Sequence, residues 1–207
     1  MSTVRLLLLG LMATFSVAVK CRDNYKYNVY LLFDSSYNTS RTDWNRMKAF
    51  TSKLISTVDV GPNKGHIGLG QFSQDLEPIF DLSVYISKTT ILQEITGLRQ
   101  LAPQRATGQA LATVRQLGYL TNSLHGSQAD AATVLVLFLG GPSDNQTLAI
   151  REATHLRKEG VQIFVVTYPV NLPEAAAIAG SAARVILLTP LGIIDNLLLT
   201  LLNLLCT

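Results

Sequence analysis

Thr133-Val-Leu-Val-Leu-Phe-Leu139, followed at once by Gly140-Gly141-Pro142, is the stretch on which the fold turns. It is the most continuous apolar run after residue 19, and it ends in turn residues, so it predicts a central strand buried on both faces. Such a strand belongs to a parallel sheet sandwiched between layers of helices. Towards the N-terminus, YNVYLLF (Tyr27 to Phe33) is a second short buried run that stops at Asp34. Trp44, Met47, Thr51, Leu54, Ile55 and Val58 then recur at helical spacing, with Thr42 as the expected N-cap. His66 to Phe72 and Leu76 to Leu82 read as two strands of a hairpin. Ile91, Leu92, Ile95 and Leu98 mark a second helix, and Ala110, Leu111, Val114 and Leu117 a third. Beyond the central strand come a helix at about Leu148 to Lys158, a strand at Val161 to Thr167, a short helix after Pro173, a strand at Val185 to Leu188 and a terminal helix. The alternation predicts a doubly wound α/β fold: a mostly parallel sheet with one antiparallel edge strand and helices on both faces.

The chain has 207 residues, 48% of them apolar and 15% charged, the size and composition of one folded domain. Its net charge of +3 comes from 17 Lys and Arg against 14 Asp and Glu, scattered along the chain, which argues against a nucleic-acid partner. Gly68-x-Gly70 lies within a strand, and the turn after the first strand, Asp34 to Asp43, has no glycine, so a dinucleotide fingerprint is excluded. His66, His125 and His155 lack metal-ligand spacing, and no Gly-x-Ser-x-Gly elbow occurs. The expectation is a protein that is not an enzyme.

Arg5 followed by an uncharged segment from Leu6 to Val19, with small residues at Ser16 and Ala18, predicts a signal peptide over residues 1–18. A single secreted domain over 19–207 remains, with a net charge of +2 once Arg5 is removed. In an oxidising compartment Cys21 and Cys206 are expected either to join the two ends of the domain or to bridge to other chains. The sequons Asn38-Thr39-Ser40 and Asn145-Gln146-Thr147 mark Asn38 and Asn145 as glycosylation acceptors, both in loops at the carboxyl ends of strands.

In an open α/β sheet, ligands bind outside those strand ends, where the strand order reverses. Asp34, Ser36 and Asn38 sit there at alternate positions, a spacing that lets oxygens converge on one hard cation. At this point the chain resembles the von Willebrand factor type A domain, particularly the versions in fibril-associated and type VI collagens and matrilins. The likeness runs through YLLFDSS, GHIGLGQFSQDLEPIFDL, TGQAL and VLVLFLGGPSDN, with a cysteine near each end. The resemblance implies a six-stranded sheet with a metal-ion-dependent adhesion site at its top, built from an Asp-x-Ser-x-Ser loop, a Thr and an Asp. Asp34 and Ser36 match that pattern, and Asn38 replaces the third ligand. The family's Thr position falls on Arg105, leaving Thr107 as the nearest hydroxyl, and its Asp falls on Gly140. A fixed positive charge for a hydroxyl and a hydrogen for a carboxylate both oppose cation binding. The expectation is therefore no cofactor, with Mg²⁺ as the ion an intact site would hold. Arg105 either pairs with Asp34 or stands solvated on its loop.

In the C-terminal stretch Ile193 to Leu205 the apolar positions exceed what one helix face needs, and Leu199 and Leu202 widen the arc into a candidate partner or self-association face. Asp195, Asn196 and Asn203 interrupt the run, which excludes a membrane span. The resemblance points to an extracellular adhesion or matrix-interaction module that binds matrix or cell-surface proteins, collagens among them, without a metal. The alternatives are an assembly domain of a larger matrix polymer acting through the terminal helix, and a Mg²⁺-dependent adhesion domain with a weakened site.

Overall fold

The computed structural model describes residues 25–84 and 87–188. The expected leader, the cysteines Cys21 and Cys206, and the terminal helix with Leu199 and Leu202 lie outside the described residues. Among the described residues six strands form one sheet: β1 (Tyr27–Asp34), β2 (Gly65–Phe72), β3 (Leu76–Phe80), β4 (Ala132–Leu139), β5 (Gln162–Thr167) and β6 (Val185–Leu187). Their order is β3-β2-β1-β4-β5-β6, and every pairing is parallel except that of β3 with β2. The TVLVLFL run is thus a central strand, paired with β1 on one side and β5 on the other.

Strand alternation divides the core in two. From β1, Val29, Leu31 and Phe33 enter the layer beneath helices α1 (Arg41–Thr57) and α2 (Lys88–Gly97), with Phe33 stacked on Phe138 at 4.3 Å between ring centres. Tyr30 and Leu32 enter the opposite layer, covered by α3 (Thr107–Leu117), α4 (Gln146–Lys158) and α5 (Leu172–Ala179). The N-cap of helix α1 lies two residues before the expected Thr42: it is Ser40, its Oγ accepting from the Asp43 amide at 3.1 Å and donating to the Asp43 carboxylate at 2.8 Å. This reciprocal pairing of hydroxyl and N3 carboxylate satisfies an otherwise orphaned donor, which Thr42, already inside the first turn, cannot do. Helix α4 likewise begins two residues earlier than expected, because the Asn145 side chain caps the Leu148 amide at 2.9 Å.

The glycines of β2 have a packing reason. A Cβ on Gly68 would lie 2.6 Å from the Tyr30 ring, and one on Gly70 would lie 2.6 Å from the Tyr30 hydroxyl. Tyr30 therefore needs a bare stretch of neighbouring backbone, and the Gly-x-Gly spacing serves the core rather than a phosphate.

Candidate functional site

The first strand ends at the reversal of strand order, where β1 lies between β2 and β4. Asp34, its last residue, is 0% exposed. One carboxylate oxygen accepts the Ser36 amide at 3.0 Å and the other accepts the Gly140 amide at 2.9 Å. That second oxygen also meets Nε of Arg105 at 2.5 Å. Arg105 lies on the connection between α2 and α3 and is 6% exposed. Its Nη2 donates to Ser36 Oγ at 2.9 Å and Thr39 Oγ1 at 3.3 Å, and its Nη1 donates to the Pro142 carbonyl at 3.3 Å. The guanidinium thus lies among the oxygens of the β1–α1 and β4–α4 loops, bonded to a carboxylate, two hydroxyls and a carbonyl.

The surrounding backbone holds this arrangement. Leu101 donates to the Ser35 carbonyl at 2.8 Å, Tyr37 to Ala102 at 3.0 Å, and the Gln100 side chain to the Ser36 and Thr39 carbonyls. Arg105 and Asp144 are tied reciprocally: the Arg105 amide donates to the Asp144 carboxylate at 2.8 Å, and the Asp144 amide to the Arg105 carbonyl at 3.0 Å. On the far side of the same loop, the Ser143 amide donates to the buried Glu174 carboxylate of α5 at 3.1 Å.

The two glycines after β4 make the room. A Cβ at Gly140 would sit 1.9 Å from Thr39 Oγ1, and one at Gly141 would sit 2.3 Å from Arg105 Nη1. The positions read in the sequence as two separate losses, Arg105 and Gly140, are therefore one coupled change. The arginine and the Thr39 hydroxyl need the space that side chains at 140 and 141 would fill.

Of the residues singled out in the sequence, Asp34, Ser36, Arg105 and Gly140 come together. Thr107 opens α3 fully buried, and its Oγ1 has no hydrogen-bond partner among the described residues. Asn38 is exposed, and its amide donates to the Pro103 carbonyl at 2.8 Å, outside the guanidinium's set of partners. Asn145 is also exposed. Thr39, Gly141, Gln100 and Asp144 were not assigned a role from the sequence. The only available hint was the double glycine, because the other contacts depend on how the loops turn.

A divalent ion does not fit this donor set. Mg²⁺ takes an octahedral oxygen shell at about 2.0–2.1 Å. Here the carboxylate and hydroxyls that would begin such a shell are bonded to a permanent cation, and Gly140 beside them supplies no side-chain oxygen. Among the described residues, no group of three or more His, Cys, Asp or Glu side chains is placed to hold a metal ion. Asp34 and Arg105 are occupied with each other and withdrawn from solvent, so neither is available to act on a substrate. Two of the three histidines make structural contacts: His66 Nδ1 lies 2.8 Å from the Gly126 carbonyl, and His125 Nδ1 lies 2.9 Å from the Asp81 carboxylate. Among the described residues, no helix is long and apolar enough to cross a membrane.

The family model of the von Willebrand factor type A domain matches residues 28–187. The chain is 27% identical over 166 residues to the human collagen alpha-6(VI) chain, covering 80% of this chain and 7% of that one. It is 27% identical over 142 residues to mouse matrilin-1, covering 67% and 28% respectively. The chain thus spans only a small part of the curated relatives it matches. Among solved structures, proximal thread matrix protein 1 from the mussel byssus superposes with a TM-score of 0.79 at 22% identity, covering 90% of this chain and 49% of that one. A further structure of that mussel protein is described as having a zinc-occupied MIDAS motif.

Proposed function

The chain belongs to the von Willebrand factor type A domain family, and on that premise we propose that it is a secreted matrix-interaction module that binds protein partners without a divalent cation. The observation that carries this reading is the Arg105 guanidinium, buried against Asp34, Ser36 and Thr39. A cation built into the chain neutralises Asp34, so recognition falls to the surrounding loop surfaces instead of an exchangeable ion. The type VI collagen and matrilin likenesses favour matrix or cell-surface proteins as partners, collagens included.

Export through the 1–18 leader, a link between Cys21 and Cys206, and glycans on Asn38 and Asn145 belong to the same proposal. The exposed Asn145 suits a glycan well. Its Oδ1 caps α4 while its Nδ2 is the atom a sugar would take, so modification leaves the cap in place. The test is capture of matrix proteins by the immobilised protein with and without EDTA, alongside calorimetric titration with Mg²⁺ and Mn²⁺. Capture unchanged by EDTA and no saturable heat are expected. EDTA-sensitive capture, or sub-millimolar ion binding, would sink the proposal.

A further inference from the structure

Away from Arg105, the face formed by α3 and α4 holds the chain's surplus of positive charge. Between Ile95 and Ala129 the sequence has no Asp or Glu. The two helices carry four cations, Arg115, Arg151, Arg157 and Lys158, against one carboxylate, Glu152, with Glu159 just beyond. Four against two leaves a surplus equal to the net charge of the whole chain once Arg5 is removed.

Glu152 gathers these cations while staying buried itself. One of its oxygens accepts Nε of Arg151 at 3.1 Å, and the other accepts Nε and Nη2 of Arg115 at 3.2 and 2.9 Å. A single carboxylate thus holds two guanidiniums in place and neutralises the charge of one. Arg115 Nη1 is met only by Glu159, at 3.8 Å, and Arg157 turns away to the Ala177 and Ile178 carbonyls of α5. Arg151, with 61% of its side chain exposed, and exposed Lys158 stand at i and i+7 on the solvent face of α4, about 10 Å apart along its axis. Among the described residues neither Nη of Arg151 nor the Lys158 ammonium has a partner. At the C-terminal end of α3 the face meets a cavity of about 510 Å³, a size that suits a small ligand. Arg115 lines it with Gln116, Thr121, Asn122, Ser123 and Ser127, and no Asp or Glu does. The Gln116, Thr121 and Ser123 side chains lie on the surface, with no hydrogen-bond partner among the described residues.

We propose that the α3–α4 face binds a sulfated glycosaminoglycan. One saccharide unit sits in the cavity, its hydroxyls against Gln116, Thr121 and Ser123, and sulfate groups along the chain pair with Arg115, Arg151 and Lys158. Cations fixed two helical turns apart match a polymer whose charges repeat, and a cavity walled by hydroxyls and amides offers a peptide little apolar surface to bury. This ligand goes beyond the protein partners proposed above and rests on that reading only in placing the chain outside the cell.

The test is calorimetric and NMR titration of the ¹⁵N-labelled protein with a heparin hexasaccharide, with the desulfated hexasaccharide and a hexaglutamate peptide run alongside. Heparin should give saturable heat, with shifts at the Gln116 side-chain amide and the Ser123 and Lys158 backbone amides; the other two should give neither. Added salt should weaken the binding, since the charges involved are exposed. Arg151→Gln with Lys158→Gln should weaken it about tenfold. Arg41→Gln with Arg99→Gln removes the same charge from exposed positions on the α1–α2 layer and should leave it unchanged. The amide spectra and unfolding midpoints of both double variants report their folding. No saturable binding, equal binding of the desulfated sugar or of hexaglutamate, an equal loss in the two double variants, or shifts that spare Gln116 and Ser123 would each overturn the proposal. If heparin binding fails while EDTA-independent capture of matrix proteins holds, the sugar site falls and the module reading stands; the reverse result keeps the sugar site and removes the module reading.

Discussion

Replacing Arg105 with alanine tests the site most directly. The substitution leaves the Asp34 carboxylate fully buried, with two backbone N–H groups as its remaining partners, those of Ser36 and Gly140. Removing one member of a buried ion pair costs about 3–5 kcal/mol, because the surviving charge is stranded. For a domain of this size each kcal/mol moves the unfolding midpoint by about 2–4 °C, so a fall of roughly 6–20 °C is expected. The assay is thermal and urea unfolding at pH 7, run on Arg105→Ala and on the double variant Asp34→Asn with Arg105→Met. The double variant removes both charges and should recover most of the loss. In Arg105→Ala alone, Mg²⁺ or Mn²⁺ has access to the stranded carboxylate. An ion present at ten times its dissociation constant would return about 1.4 kcal/mol, while the parent gains nothing. An Arg105→Ala variant within about 1 kcal/mol of the parent, or a double variant no better than the single, would refute the view that Arg105 neutralises Asp34.

Other substitutions probe the same physics elsewhere. Gly140→Asp alone should destabilise the domain, because its Cβ falls on Thr39 Oγ1, and bind no ion, because Arg105 still occupies Asp34 and holds the Thr39 hydroxyl, whereas Gly140→Asp with Arg105→Thr frees both and should give measurable Mn²⁺ binding by calorimetry. Tyr30→Phe should stabilise by about 1 kcal/mol in urea unfolding, since the Tyr30 hydroxyl is buried without a hydrogen-bond partner among the described residues and burial has pushed its pKa well above the ordinary phenol range. Burial raises the Glu152 carboxyl, but hydrogen bonds from Arg115 and Arg151 outweigh it and leave the group below its ordinary value. Its stabilising effect is therefore present above the unfolded-state value of about 4.3 and disappears as the pH falls through the lower folded-state value. The stability gap between parent and Glu152→Gln should close over that acid range, and a gap that stays constant from pH 7 to pH 3 would contradict the assignment.

Much of the fold was legible in the sequence because it rests on local periodicity. TVLVLFL reads as a strand buried on both faces because it is a short continuous apolar run closed by Gly-Gly-Pro, and α1, α2 and α3 follow apolar spacings that a helix satisfies. Boundaries were less legible. Ser40 and Asn145 were readable as caps by residue type, yet which polar residue supplies the cap depends on whether its backbone is extended there, as that of Ser40 is. The glycines of β2 signalled something special, but their reason, the Tyr30 ring, lies on the neighbouring strand.

By itself the sequence determined the order and kind of the elements, the acidic end of β1, and the mismatch at Arg105 and Gly140, since each is a property of neighbouring residues or of one position. Whether Arg105 was solvated or buried was decided only by the tertiary structure. It is 71 residues from Asp34 in the chain, and the parallel register of β1 and β4 brings the loops from both strand ends to one place. Thr39, Pro142 and the bare backbone at 140–141 then complete a pocket for the guanidinium. A buried charge is stable only when partners converge on it from several directions, and that convergence is a three-dimensional fact.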